Sequence, residues 1–278
     1  VSSKDLIMPL RIACLLCCHN RKSLALACLE SIYSQLNACG ADVEIFLLDD
    51  GSTDGTSSAV RERYPLVKLF SGSGDLFWCG AMRVLWRIAA QSRPDYFLLL
   101  NDDTFLYKNA IEVLLSSASH LNNRCLVVGS ICDPIGKQKV YGGFGPISTP
   151  HLQNHFSGMR YYQTCNANCL LIPDIIYQKL GIFHGAYTHA MGDFDYGYLA
   201  TRSSIPILET PDFVGECSPN DDSKSWRNNT LSRSERFRFL AGPKGLPFRE
   251  WLIFCRRNYG LRWPIKFVGP TIRIILGM

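Results

Sequence analysis

The chain has 278 residues, 47 % of them hydrophobic and 19 % charged, the make-up of an ordinary globular protein with room for a sizeable core. No run reaches the ~18 to 20 uninterrupted apolar residues of a membrane-spanning helix, and the opening VSSKDLIMPL lacks the apolar core of a secretory leader, so a cytoplasmic protein is expected. The net charge of +5 is unevenly spread: from Ser223 to Met278 twelve Lys and Arg face Glu235 and Glu250, a surplus of +10 that leaves −5 for the rest.

In chain order, RIACLLCC (Arg11–Cys18) reads as a buried strand, and Leu24, Cys28, Ile32 and Leu36 repeat at helical spacing until Cys39 and Gly40. VEIFLLDD (Val43–Asp50) is a second strand, a short helix follows from about Asp54, and LVKLF (Leu66–Phe70) is a third strand. Trp78, Met82, Leu85 and Ala89 mark the inner face of the next helix. YFLLL (Tyr96–Leu100) is a fourth strand, and Ile111, Leu114, Leu115 and Ala118 turn another helix inward. Such repeated units predict an α/β fold with a mainly parallel sheet covered on both faces, and ligands of such sheets gather beyond the carboxyl ends of the strands. From about Leu126 the strands shorten and alternate with glycine turns (YGGFGP), followed by NANCLLIP and a helix around MGDFDYGYLATR. After Pro219 come three basic, aromatic-rich helical stretches near residues 228–241, 248–258 and 264–276, so the expected division is 1–221 and a helical tail of 222–278.

Twelve cysteines are many, yet Cys14, Cys17, Cys18, Cys28 and Cys255 sit in apolar text, where reduced thiols pack as small hydrophobes. The C-x-x-C of Cys14 and Cys17 is strand-embedded and a poor match to a zinc site. The six histidines are scattered, with no nucleophile setting. No G-x-G-x-x-G follows the first strand and no G-x-x-x-x-G-K-[ST] occurs, which argues against a dinucleotide oxidoreductase and a P-loop kinase.

Three strand ends carry His19-Asn20-Arg21, Asp49-Asp50-Gly51-Ser52 and Asn101-Asp102-Asp103, gathering four carboxylates and an arginine on one rim. Asp and Ser after a strand also serve any strand-to-helix turn, but a carboxylate there can accept a hydrogen bond from a pyrimidine N–H or a ribose hydroxyl, and Asp50 is the better placed. Neighbouring side chains on an extended backbone point apart, so Asp103 could hold a divalent ion while Asp102 serves the ribose side. Hard oxygen ligands suit Mg²⁺ or Mn²⁺, which bind diphosphates with help from water. Asp193 and Asp195 in GDFDYGY would also favour the positive end of a helix dipole.

In order, spacing and strand context these elements, CCHNR, LLDDGSTDGT, LLLNDDTF and MGDFDYGYLATR, resemble the family 2 glycosyltransferases of the GT-A fold, rhamnosyltransferase-like members included. The resemblance spans roughly residues 10–215. It implies a donor site of Cys17, His19, Asn20, Arg21, Asp49, Asp50, Arg83, Asn101 and Asp102, a metal on Asp103, and Asp193 as catalytic base of an inverting displacement. Asn166, Asn168 and Asp195 would line the sugar or acceptor pocket, and Arg83 would aid the leaving group. Three departures stand out. The first acid of the family's DxD motif is Asn101, Gly192 replaces the acid before Asp193, and PDFVGECSPN offers only Glu216 or Cys217 where many relatives place a metal-binding histidine.

The resemblance implies transfer of a single hexose, rhamnose or galactose, from a UDP- or dTDP-sugar to a glycan or polyprenyl-linked glycan of a bacterial surface polysaccharide such as O-antigen. A sugar nucleotidyltransferase and a non-catalytic nucleotide-sugar or glycan-binding protein are the alternatives. The first would want a glycine-rich signature with Arg after the first strand, which CCHNRKS lacks; Asp193 argues against the second. The Arg- and aromatic-rich tail reads as a helical cap on the catalytic region, as a surface for an anionic membrane at its cytoplasmic face, or as both. Nucleic acid is disfavoured, since no nucleic-acid-binding motif surrounds the charges.

Overall fold

The computed structural model describes residues 9–146 and 160–278; the opening residues 1–8, on which the expected lack of a leader partly rested, lie outside them. Strand β1 (Leu10–Cys18), helix α1 (Lys22–Tyr33), β2 (Ala41–Asp49), α2 (Thr56–Arg63), β3 (Lys68–Ser71), α3 (Phe77–Ala89) and β4 (Tyr96–Leu100) alternate as the apolar spacing predicts. Then follow β5 (Phe105–Leu106), α4 (Ala110–Ser119), β6 (Leu126–Cys132), β7 (Lys139–Tyr141), β8 (Gly143–Pro146), β9 (Arg160–Cys165), β10 (Cys169–Pro173), α5 (Asp174–Leu180), α6 (Gly192–Arg202) and β11 (Ile207–Glu216). The basic tail supplies α7 (Arg233–Ala241), α8 (Phe248–Asn258) and α9 (Trp263–Leu276).

The sheet runs β3-β2-β1-β4-β10-β6-β11-β9-β8. Strands β1 to β4 are mutually parallel, whereas β10 enters antiparallel between β4 and β6. Period-two alternation splits the strand side chains between two cores: Cys14 and Leu16 face one layer with α1 and α4, while Leu15 and Cys17 face the other with α3 and α6. Cys14 and Cys17 therefore lie on opposite faces, which rules out a shared zinc ion. All twelve cysteines are free, and all but Cys39 are buried.

From β1 the chain winds outward to β2 and β3, then returns across β1 to place β4 on its other side. This reversal opens a crevice beyond the carboxyl ends of β1 and β4, the usual ligand position in such sheets. His19-Asn20-Arg21 and Asn101-Asp102-Asp103 stand on its two lips.

Candidate active site

The first lip is built by carboxylates that organise backbone. Asp49 accepts from the Ser52 N–H at 2.9 Å and from the Ser57 hydroxyl. Asp50, buried, accepts from Gly74 N–H at 2.8 Å and Phe77 N–H at 2.9 Å, which draws the 72–77 loop against the end of β2. A Cβ on Gly51 would stand 3.0 Å from Gly74 backbone atoms, and its φ of +72° favours glycine, so two backbones can meet there. His19 Nδ1 lies 2.6 Å from the Asp50 carbonyl and so carries the proton, leaving Nε2 to accept from the Asn20 amide. Asn20 in turn accepts from Thr53 N–H at 2.8 Å. The carboxylate oxygens of Asp50 retain lone pairs for a ligand, but its first role is to hold this cradle closed.

On the second lip the chain turns rather than extends: Thr104 N–H donates to the Asn101 carbonyl at 3.1 Å. The turn brings together two side chains that an extended backbone would separate, and one Arg21 nitrogen meets both, at 3.0 Å from Asp102 Oδ1 and 2.7 Å from Asp103 Oδ2. Burial pushes the Asp102 carboxyl up to about 6 against the pull of Arg21. Its Oδ2 and the Asn101 Oδ1 are buried without a partner, acceptors aimed at nothing the described residues provide. Cys217 Sγ approaches Asp103 Oδ1 at 3.6 Å, but burial pushes this thiol up to about 12, so it remains a neutral, soft neighbour. Glu216 is directed elsewhere, onto Lys137 Nζ at 2.5 Å and the Tyr107 hydroxyl at 3.1 Å, and does not join the acidic pair. Among the described residues no three His, Cys, Asp or Glu converge as a self-sufficient metal cage. The hard oxygens of Asp102 and Asp103 nevertheless fit Mg²⁺ or Mn²⁺ that completes its shell with phosphate oxygens and water.

Asp193 lies in the first turn of α6. Its Oδ1 accepts from Phe194 N–H at 2.9 Å and its Oδ2 from Ala167 N–H at 3.1 Å. Protein surrounds it closely enough to push its carboxyl up to about 6. One residue beyond Ala167, the Asn168 carbonyl accepts from Asn101 N–H at 3.1 Å. The 166–168 loop thus ties the base candidate to the acidic turn through two backbone contacts. Asn168 is buried in this loop, and Asn166 spends its amide oxygen on Gly142 N–H at 3.2 Å, bracing the β7–β8 turn rather than standing free in a pocket. Beneath the site lie the Cys17 and Cys79 thiols, both raised by burial, Cys17 also by Asp102 and Cys79 by Asp193. The glycine before Asp193 has a steric cause: a Cβ on Gly192 would lie 2.5 Å from Cys79 Sγ. An acid cannot occupy that position while Cys79 packs against it.

The tail helix α8 grips this region twice. Asp195, buried to 2 % exposure and expected at the acceptor pocket, accepts from Arg257 Nε at 2.9 Å and Nη2 at 3.1 Å and from the Asn258 amide at 2.8 Å, which makes it an internal anchor for α8. Glu250 accepts from Thr188 N–H at 3.0 Å and its hydroxyl at 2.6 Å. The Thr188 carbonyl accepts from Cys79 N–H, and Arg83 donates to the carbonyls of Tyr187 at 2.5 Å and His184 at 3.4 Å. Arg83, expected at the leaving group, here pins the 184–191 segment. His189 of that segment packs edge-on to Phe77, with its Nδ1 buried and unpartnered, and burial lowers it to about 4. Sequence reasoning missed Thr188, His189, Glu250, Arg257 and Asn258; the only signal was an acid and a basic pair on an amphipathic helix, which solvent-facing charges imitate.

Known proteins resemble this chain in fold and in sequence. The fold is similar to that of a mannosyltransferase from Pyrobaculum calidifontis in complex with GDP-Man and Mn²⁺, with a TM-score of 0.62 at 14 % identity, covering 97 % of this chain and 71 % of that one. It is also similar to S. aureus TarS 1-349, with a TM-score of 0.56 at 13 % identity, covering 97 % and 72 %. These likenesses establish the GT-A fold. In sequence, 183 residues are 26 % identical to N-acetylglucosaminyl-diphospho-decaprenol L-rhamnosyltransferase of two Mycobacterium tuberculosis strains, 56 % of this chain and 60 % of the relative. The alignment thus spans about three fifths of those relatives' length. The model of "Glycosyl transferase family 2" matches residues 14–164, more than half of the chain, and the chain belongs to that family.

Proposed function

We propose that the protein is an inverting glycosyltransferase that moves one hexose from a nucleotide-sugar to a hydroxyl of a polyprenyl-linked glycan. The observation that carries this reading is that the 166–168 loop ties Asp193 to the Asp102–Asp103 turn, so that a base and a diphosphate-binding acidic pair are held by one short segment and can act on two ends of one donor sugar. Displacement at C1 needs both, because the acceptor oxygen must approach from the face opposite the departing diphosphate. Asp193 takes the acceptor hydroxyl proton as that oxygen bonds to C1, while the C1–O bond breaks and its electron pair leaves with the diphosphate. A carboxyl near 6 is largely ionised at neutral pH yet more basic than an ordinary aspartate, which suits the task. The backbone N–H groups of Phe194 and Ala167 fix its orientation. Asp102 and Asp103 would hold a divalent ion that, bound with the donor, would neutralise charge developing on the diphosphate. The cradle of Asp50, His19 and Asn20 is the donor's base and ribose side.

The relative's name favours rhamnose as the sugar and a polyprenyl diphosphate as the acceptor's carrier; UDP and dTDP are the nucleotides we favour. Synthesis of a bacterial surface polysaccharide is the process these substrates suit, with residues 1–221 as catalytic unit and 222–278 as a helical tail. Helix α9 supports a peripheral membrane location. Ile265, Val268, Ile272 and Ile275, three or four residues apart, form one exposed face, while Ile274 on the other face is buried. Arg262, Lys266 and Arg273 line one flank of the exposed stripe by the same helical period. An apolar face flanked by cations suits the interface of an anionic bilayer, and among the described residues no helix is long and apolar enough to cross one. The test is a screen of UDP-, dTDP- and GDP-sugars for released nucleotide with a polyprenyl-diphosphate N-acetylglucosamine acceptor. Release from dTDP-rhamnose alone that depends on acceptor supports the full reading; no release from any donor overturns it.

A further inference from the structure

The acidic turn already has a cation. Arg21 Nη1 sits between Asp102 Oδ1 and Asp103 Oδ2, at 3.0 and 2.7 Å, across the crevice where the sheet reverses. One positive charge faces two negative ones, and Asp102, 6 % exposed, keeps an unpartnered Oδ2. The pair is thus held but not satisfied. A free divalent ion entering here would meet the guanidinium at contact distance, and like charges this close repel strongly in a half-buried crevice. A guanidinium, however, binds phosphate oxygens in a two-pronged fork at least as well as it binds carboxylates. The Arg21 side chain is 41 % exposed and rooted just before α1, so it can swing without unpacking a core.

Resting on the donor reading above, we infer that Arg21 is a resident counter-cation that exchanges places with the metal: it holds Asp102 and Asp103 in the free protein, and moves to the diphosphate when nucleotide and metal arrive together. The acidic pair then admits a divalent ion only in company with its nucleotide. Arg21 becomes a diphosphate ligand after the exchange, and its positive charge is never lost from the crevice.

The test is Mn²⁺ binding followed by the electron paramagnetic resonance of the free ion, for wild type, Arg21→Gln and Arg21→Lys. Each is titrated alone and with UDP or dTDP, with nucleotide-only controls for chelation and circular dichroism to check folding. Wild type is expected to bind Mn²⁺ at least tenfold more tightly with nucleotide than without. Arg21→Gln binds Mn²⁺ alone at least tenfold more tightly than wild type does, and its melting temperature rises with Mn²⁺ alone while that of wild type does not. Arg21→Lys keeps the charge and stays close to wild type without nucleotide. Equal Mn²⁺ affinity of wild type and Arg21→Gln in the absence of nucleotide, with nucleotide-dependent binding intact, overturns the exchange but leaves the donor site standing. Failure of every protein to bind Mn²⁺ with either nucleotide overturns both.

Discussion

Replacing Arg257 by Met should unlock the tail from the catalytic helix. Asp195 is 2 % exposed, and its two oxygens accept three hydrogen bonds from Arg257 and a fourth from Asn258. Removing one partner of a buried ion pair typically costs 3 to 5 kcal/mol, because the stranded charge keeps its desolvation penalty. Here the Arg257 side chain is 31 % exposed and Asn258 stays in place, so the lower end applies, about 3 kcal/mol. For a chain of this size that is a fall in Tm of roughly 6 to 12 °C. Asp195→Asn in the same background removes the stranded charge and should recover part of the loss. Thermal melts of the two single variants and the double variant give the coupling directly, and the expected value exceeds about 1 kcal/mol. Additivity within about 0.5 kcal/mol would refute the anchor. Activity should fall with the anchor, since α6 carries Asp193 two residues before Asp195.

Because the base proposed here, Asp193, would act ionised and desolvation raises it to about 6, kcat at saturating donor should be full above that pH and fall as pH drops through it, to about a tenth at pH 5; an acid limb near 4 would refute a desolvated base. The sign for stability is opposite: with native values above the ordinary one, protonation of Asp193 and Asp102 favours the folded state, so their contribution rises as pH falls from about 6 to 4. Gly192→Ala should lower activity and stability, by about 1 to 3 kcal/mol for the latter, and Cys79→Ala in the same chain should restore much of both; absence of rescue would show that the clash is not the cause. Flotation with anionic liposomes should carry the protein at low salt, and the pair Ile265→Asp and Ile272→Asp on α9 should abolish it; unaltered flotation of that variant would exclude α9 as the contact.

What was legible in the amino-acid order came from local period and strand ends. The alternation up to Ser119 and the rule that ligands gather at carboxyl strand ends point, from the sequence alone, to the rim of His19 to Arg21, Asp49 to Asp50 and Asn101 to Asp103. What stayed hidden depends on partners far along the chain. Arg21 meets Asp102 across 81 residues, and Asp195 meets Arg257 across 62; neither pairing alters local periodicity. The antiparallel entry of β10 was equally silent, because the apolar run CLLIP has no direction in its composition. Asp102 and Asp103 were expected to diverge on extended backbone, yet the turn from Asn101 to Thr104 brings them to one guanidinium nitrogen. Gly192 looked like the loss of an acid; only the packing of Cys79 explains it.

The most direct test of the central claim is nucleotide release and sugar transfer by wild type and Asp193→Asn, both loaded with the donor that the screen selects and with acceptor present. The variant keeps the size of Asp193 and one of its two N–H contacts, because its amide nitrogen cannot accept the other, and it cannot take a proton. The account predicts that it binds donor as wild type does and transfers at least a hundredfold more slowly, within the range that general-base catalysis contributes. Equal transfer by both proteins would contradict the account and remove Asp193 from the chemistry.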